Sequence, residues 1–236
     1  MNEHIVTAFT DELERLSADI LRMGGLAEAM ITDACQATVA GDLARAAAVV
    51  ARDREVDAIE ADVERQIIEL VARRQPMARD LREVLAGLKV SNELERVGDL
   101  SKNIAKRANV LTDLGRRDVL KGINRMGIAV ATQLAGVLDA YRNRDAERAV
   151  RIWENDEDID QLYNSYFREV LTYMIEDPRT IGDGAHIMFM AKNLERIGDH
   201  ATNIAELIYF FVTGDYLTAS DRPKQDGLGN RSEEEG

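Results

Sequence analysis

The chain has 236 residues, with only three prolines, three histidines and one cysteine, and its formal net charge is −13. That length suits one large domain or two small ones, and a composition dominated by Ala, Leu, Glu and Arg favours helix over a β sandwich or barrel. Acidity without a basic stripe argues against nucleic acid as a partner, and the lone thiol, Cys35, excludes an internal disulfide and fits a cytoplasmic home.

Apolar residues at Leu13, Leu16, Ile20, Met23, Ala27, Met30 and Ala34 alternate spacings of three and four. They predict a first helix with a narrow, bundle-like seam. Gly41-Asp42 ends it and caps the next. Val49, Val56, Ile59, Val63, Ile67 and Leu70 make the second stripe, which stops at Gln75-Pro76 because proline suits a first turn and not a helix interior. A third helix is predicted from about Met77 to Leu111, and Asp113-Leu114-Gly115 closes the unit.

The second unit repeats the plan. Ile123, Met126, Val130, Leu134, Val137 and Tyr141 mark the fourth helix, and Asp145 is the predicted cap of the fifth. The fifth stripe runs through Ile152, Ile159, Leu162, Tyr166, Val170 and Tyr173. Asp177-Pro178 is the counterpart of Gln75-Pro76. The sixth helix carries Ile187, Met190, Leu194, Ile197, Ala201, Ile204, Ile208 and Phe211.

The repetition extends to individual residues. Met23-Gly24 matches Met126-Gly127, Asp42 with Arg45 matches Asp145 with Arg148, and Asp53 with Asp57 matches Asp156 with Asp160. From Leu94 to Ala105, eight of twelve positions equal their partners at Leu194 to Ala205. This is a tandem duplication. The expected fold is all-α: six long helices forming two tandem three-helix bundles related by a pseudo-twofold axis, over residues 1–114 and 115–217. An acidic tail, 218–236, carries no stripe and is expected to be disordered. The start of the chain lacks the basic and apolar regions of a signal peptide, and no apolar run approaches the roughly 18 residues of a membrane span. A cytoplasmic protein without membrane insertion is therefore expected. A homodimer is a separate expectation, which the stripes and charges do not specify.

Four acidic pairs share one spacing: Asp53 and Asp57, Glu95 and Asp99, Asp156 and Asp160, Glu195 and Asp199. Residues four apart project from one helix face, where like charges cost a few tenths of a kcal/mol. A hard cation such as Mg, Ca or Mn, or iron in a carboxylate cluster, would offset that cost. Asn103 and Asn203, one turn further on, can supply an amide oxygen or orient a ligating carboxylate. If the second and third helices of each unit face each other, four carboxylates converge at one site per unit. The same spacing also describes an ordinary solvated face. Glu195 and Asp199 lie opposite the stripe of their own helix, and Arg96 and Arg196 can neutralise the pairs as surface salt bridges.

Gly98 and Gly198 sit in helix interiors, where a close helix crossing explains them better than ligand access. His200 has Leu100 as its counterpart and is read as a surface histidine, and Met188 and Met190 as packing residues. No hydrolase, P-loop, dinucleotide or paired-Cys signature is present, nor the Glu-x-x-His motif of ferritin-like di-iron proteins. A non-catalytic helical module is the expectation. Its alternatives are a metal-independent structural adaptor and a carboxylate-bridged di-iron redox enzyme.

Met23-Gly24-Gly25, Arg74-Gln75-Pro76 followed by Asp80-Leu81-Arg82, Asp177-Pro178-Arg179-Thr180-Ile181, and the doubled Leu-Glu-Arg-(Val/Ile)-Gly-Asp at 94–99 and 194–199 resemble the PhoU family over about residues 9–214. The resemblance implies two pseudo-twofold three-helix bundles and a cytoplasmic repressor of phosphate uptake and of the phosphate-starvation response. Its implied partners are the ATPase subunit of a phosphate transporter and a membrane sensor histidine kinase. It also implies multinuclear metal clusters (Fe, Mn, Mg or Zn) on the Glu/Asp-x-x-x-Asp motifs, which fall here on Asp53, Asp57, Glu95, Asp99, Asp156, Asp160, Glu195 and Asp199.

Overall fold

The stripes read from the sequence become the buried faces of long helices. A computed structural model describes residues 2–111 and 117–218, with the side chains of residues 9–111 and 118–218, and no strand occurs among them. The helices are α1 (Asn2–Ala40), α2 (Leu43–Arg74), α3 (Arg79–Ala108), α4 (Arg117–Asn143), α5 (Ala146–Glu154), α6 (Glu157–Glu176) and α7 (Ile181–Thr213), with a 3-10 turn at Pro178–Thr180 before α7. The closing loop at Asp113-Leu114-Gly115 and the tail beyond residue 218 lie outside the described residues. No described helix is long and apolar enough to cross a membrane.

Both caps form where the sequence places them. Asp42 is extended and its Oδ1 accepts the Arg45 backbone N–H at 2.9 Å. Asp145 does the same for Arg148 at 2.9 Å. Each satisfies an orphan donor of the first helical turn. Asp42→Ala is expected to lower stability by about 1 kcal/mol, read as a lower urea midpoint at unchanged m-value. The two proline junctions differ. In the first unit Gln75 and Ala78 take positive φ of 49° and 48° to carry the chain round Pro76, so α3 begins at Arg79. In the second, Asp177 Oδ1 accepts the Arg179 N–H at 3.1 Å and the 3-10 turn leads directly into α7.

The fifth rod, expected as one helix, is broken into α5 and α6. Glu154, Asn155, Asp156, Glu157 and Asp158 crowd the junction. Asn155 and the Asp side chains compete for backbone hydrogen bonds, and the four carboxylates repel one another. In the first unit Arg52 and Arg54 flank the matching Asp53, and α2 runs on unbroken. At the break Asn155 N–H donates to Ile152 at 3.3 Å and Asp158 N–H to Asn155 at 3.2 Å. These three-residue closures wind the chain more tightly than an α-helix.

Helices α1, α2 and α3 form one bundle, and α4 with α5, α6 and α7 forms the other. The two join through α3 against α7 and α1 against α4, so one continuous core runs through both. The α1–α4 crossing displays the pseudo-twofold axis. A Cβ on Gly24 would lie 2.3 Å from Leu138 Cδ2, and one on Gly127 would lie 2.5 Å from Cys35 Sγ. Gly127 and Leu138 are the repeat partners of Gly24 and Cys35, so the contact is made twice with the helices exchanged. Burial pushes the Cys35 thiol up to about 12, which leaves it a packing residue and not a nucleophile. Gly98 and Gly198 also serve close crossings: their Cβ positions lie 3.3 Å from Val56 and 3.1 Å from Ile159.

Candidate metal centre

In each bundle the repeated carboxylates meet between two helices, with α2 facing α3 and α6 facing α7. The two meeting places differ.

In the first unit Asp53 is buried, Asp57 is exposed, and Glu95 and Asp99 are half-buried. Lys102 follows Asp99 by one turn of α3. Its Nζ donates to Asp53 Oδ2 at 2.5 Å and to Asp99 Oδ1 at 2.5 Å, tying α2 to α3. Burial alone would lower the pKa of this ammonium, but the hydrogen bonds to Asp53 and Asp99 outweigh it and hold the group above the ordinary lysine range. Around it, burial and then Asp53 push the Asp57 carboxyl up. Burial and then Asp99 do the same to Glu95. Arg96 lies 3.4 Å from Glu95 but is largely exposed, so it contributes little.

In the second unit position 202 is threonine. Thr202 Oγ1 donates to Asp156 Oδ1 at 2.7 Å and accepts from Gln133 Nε2 at 3.3 Å. This short side chain holds Asp156, the residue at the helix break, and brings no charge. Asp160 of α6 and Glu195 and Asp199 of α7 each offer one oxygen, all within 4.8 Å of one another. Among the described residues this is the one such convergence of acidic, histidine or cysteine ligand atoms. Burial, then Glu195, Asp156 and Asp160, push the Asp199 carboxyl up. The Glu195 side chain is only 12 % exposed, although it points away from the stripe of its own helix, because α6 lies over it. Lys192 reaches Glu195 Oε1 at 2.5 Å from the rim, and Oε2 is buried with no hydrogen-bond partner. Three carboxylates with converging oxygens, one of them on a glutamate that also keeps a buried oxygen without a hydrogen-bond partner, fit a hard divalent cation that completes its shell with water.

Asn103 is exposed. Asn203 is exposed as well, and its Nδ2 donates to Glu93 Oε2 of α3 at 3.1 Å. His200 is not a surface histidine. Its Nδ1 lies 2.6 Å from Glu93 Oε2, pairing α7 with α3, and the side chain is 17 % exposed. Burial raises the Glu93 carboxyl, but the hydrogen bonds from His200 and Asn203 outweigh it and bring the group below the usual range. Lys102 and Thr202 are the decisive residues that spacing rules pass over. Their signal was present in the alignment, as one of the four positions that differ between Leu94–Ala105 and Leu194–Ala205.

A sequence model of the PhoU domain matches residues 20–108 and 123–208, one copy per bundle. The chain is 51 % identical over 229 residues to the "Phosphate-specific transport system accessory protein PhoU homolog" of Caulobacter vibrioides (strain NA1000 / CB15N), covering 97 % of this chain and 99 % of that protein. The crystal structure of PhoU from Pseudomonas aeruginosa superposes with a TM-score of 0.83 at 36 % identity, over 88 % of this chain and all of that one. That of the phosphate transport system regulatory protein PhoU from Streptococcus pneumoniae gives 0.81 at 27 % identity, over 89 % and 99 %. With two copies of the domain and relatives aligned over nearly their whole length, the chain belongs to the PhoU family.

Proposed function

We propose that this protein is a cytoplasmic negative regulator of phosphate uptake and of the phosphate-starvation response. It acts as a homodimeric adaptor between the ATPase subunit of a phosphate ABC transporter and a membrane sensor histidine kinase. The observation that carries the reading is the near-full-length match to proteins named accessory and regulatory proteins of phosphate transport. The architecture supports it: two rigid bundles sharing one core offer long helical faces to more than one partner at once.

A divalent cation (Fe, Mn, Mg or Zn) belongs to this reading at the second carboxylate cluster. Asp160, Glu195 and Asp199 would hold it, with Asp156 beside them on Thr202. Its charge would offset their repulsion and tie α6 to α7. The buried, unpartnered Glu195 Oε2 is the feature that supports it.

Deleting the gene is expected to leave the starvation response on in phosphate-rich medium, and restoring it to switch the response off, as read by a phosphatase reporter and phosphate uptake. The tagged protein is expected to retain the transporter ATPase in a pull-down, and a run with chelator reports whether metal contributes. Unchanged reporter and uptake on deletion would overturn the regulatory reading. Light scattering checks the homodimer.

A further inference from the structure

The two carboxylate clusters descend from one duplicated unit, yet they do not offer the same site. We propose that metal binding is confined to the second unit, and that in the first the Lys102 ammonium takes the cation's place as a permanent lock between α2 and α3. The first half of this statement rests on the metal reading proposed above; the second half does not.

The residues of the two bundles receive a cation differently. In the first, the ammonium bridges carboxylates of two different helices at 2.5 Å each. Its side chain is 19 % exposed, and its Asp53 partner is buried. A divalent ion entering between Asp53 and Asp99 would meet a fixed positive charge. It would have to expel that group from two charge-assisted hydrogen bonds. In the second, the corresponding Thr202 occupies Asp156 with a neutral hydroxyl and leaves Asp160, Glu195 and Asp199 converging. The lysine near that cluster, Lys192, differs from Lys102 in reach. Its one ion pair is with Glu195 on its own helix, its Nζ lies 5.4 Å from the Tyr163 ring of α6, and its side chain is 48 % exposed. From this exposed position it can swing into solvent and free Glu195 for a cation, and its repeat counterpart, Asn92, carries no charge. Position 102/202 therefore decides whether a unit takes metal or carries its own cation.

Exchanging the two side chains tests this on the full chain, stripped with EDTA and titrated with Mn2+ by calorimetry and Mn2+ EPR. Lys102→Thr is expected to gain a Mn2+ site that Asp57→Asn with Asp99→Asn removes, and to melt lower than wild type in EDTA but recover with Mn2+. Thr202→Lys is expected to weaken Mn2+ binding by the second unit by about tenfold or more. In wild type, Asp160→Asn with Asp199→Asn is expected to abolish binding, whereas Asp57→Asn with Asp99→Asn leaves it unchanged. Wild-type binding that disappears with the Asp57 and Asp99 changes would overturn the lock. So would a folded Lys102→Thr that gains neither Mn2+ nor a Mn2+-dependent melting shift. If Lys102→Thr fails to fold, Lys102→Gln, which removes the charge but keeps most of the stem, is read the same way. Wild type that takes no Mn2+ while Lys102→Thr does would sink the metal reading of the second unit and leave the lock standing.

Discussion

Gly122→Ala is expected to cost about 3 kcal/mol, at the upper end of the usual overpacking range, and roughly 6–12 °C in Tm for a chain of this size. A Cβ there would lie 2.0 Å from Tyr166 Cε2, 2.3 Å from Cδ2 and 2.6 Å from Cζ. The ring has no flexible end to turn aside. It is fully buried, and its hydroxyl donates to the Val119 carbonyl at 2.6 Å, which pins it at the far end. Gly24 is the contrast: its Cβ would meet the tip of Leu138, which can rotate, so Gly24→Ala is the milder change. Pairing Gly122→Ala with Tyr166→Leu separates the causes. If the ring is the obstacle, the double variant loses less than the sum of the singles. Strictly additive losses in thermal or urea melts would show that the collision is not the source.

The other large effect is expected from metal. Free Mn2+ at about 100 times its Kd is expected to stabilise the wild type by about 2.7 kcal/mol, roughly 5–11 °C in Tm, and Asp199→Asn with Asp160→Asn to lose this shift. In chelator the sign reverses. The Asp199 carboxyl is pushed up by burial and by Glu195, Asp156 and Asp160. The folded state therefore holds that proton more tightly than the unfolded chain does. The stability this contributes is complete below the ordinary carboxylate range and is lost as pH rises through the raised value. Asp57, Glu60 and Glu95 act in the same direction, whereas Glu12 and Glu93, both lowered, act in the opposite one. In EDTA at neutral pH, Asp199→Asn is thus expected to melt no lower than wild type, with its advantage growing as pH rises out of the acid range. With Mn2+ present the order inverts. A variant that melts lower in both conditions would place Asp199 in the packing and not in a cation site.

Features encoded within a turn or two of helix were legible in the residues alone. The three-and-four spacing of Val49 to Leu70 and of Ile187 to Phe211 specified buried faces that the structure shows. Asp42 and Asp145 capped their helices because a cap needs only its own side chain and the N–H three residues on. The internal match of Leu94–Ala105 to Leu194–Ala205 established the duplication, and with it two bundles of one plan. Gly98 and Gly198 were legible as crossing points, though not the Val56 and Ile159 they cross.

Everything that depends on two helices meeting was set by packing. Only the packing of α6 over α7 buries Glu195 and brings Asp160 to it, against the exposure that a wheel of α7 alone implies. Only the α3–α7 contact turns His200 toward Glu93 and the bundle interface. The break at Asn155-Asp156 was masked because the apolar stripe continues through it; local charge crowding opened the helix while core packing kept both pieces in place. The eight carboxylates were visible as pairs on faces. Which of them a lysine bridges from one helix to the next, and which converge on one another, depends on contacts across a helix interface, and periodicity along a single helix carries no information about that.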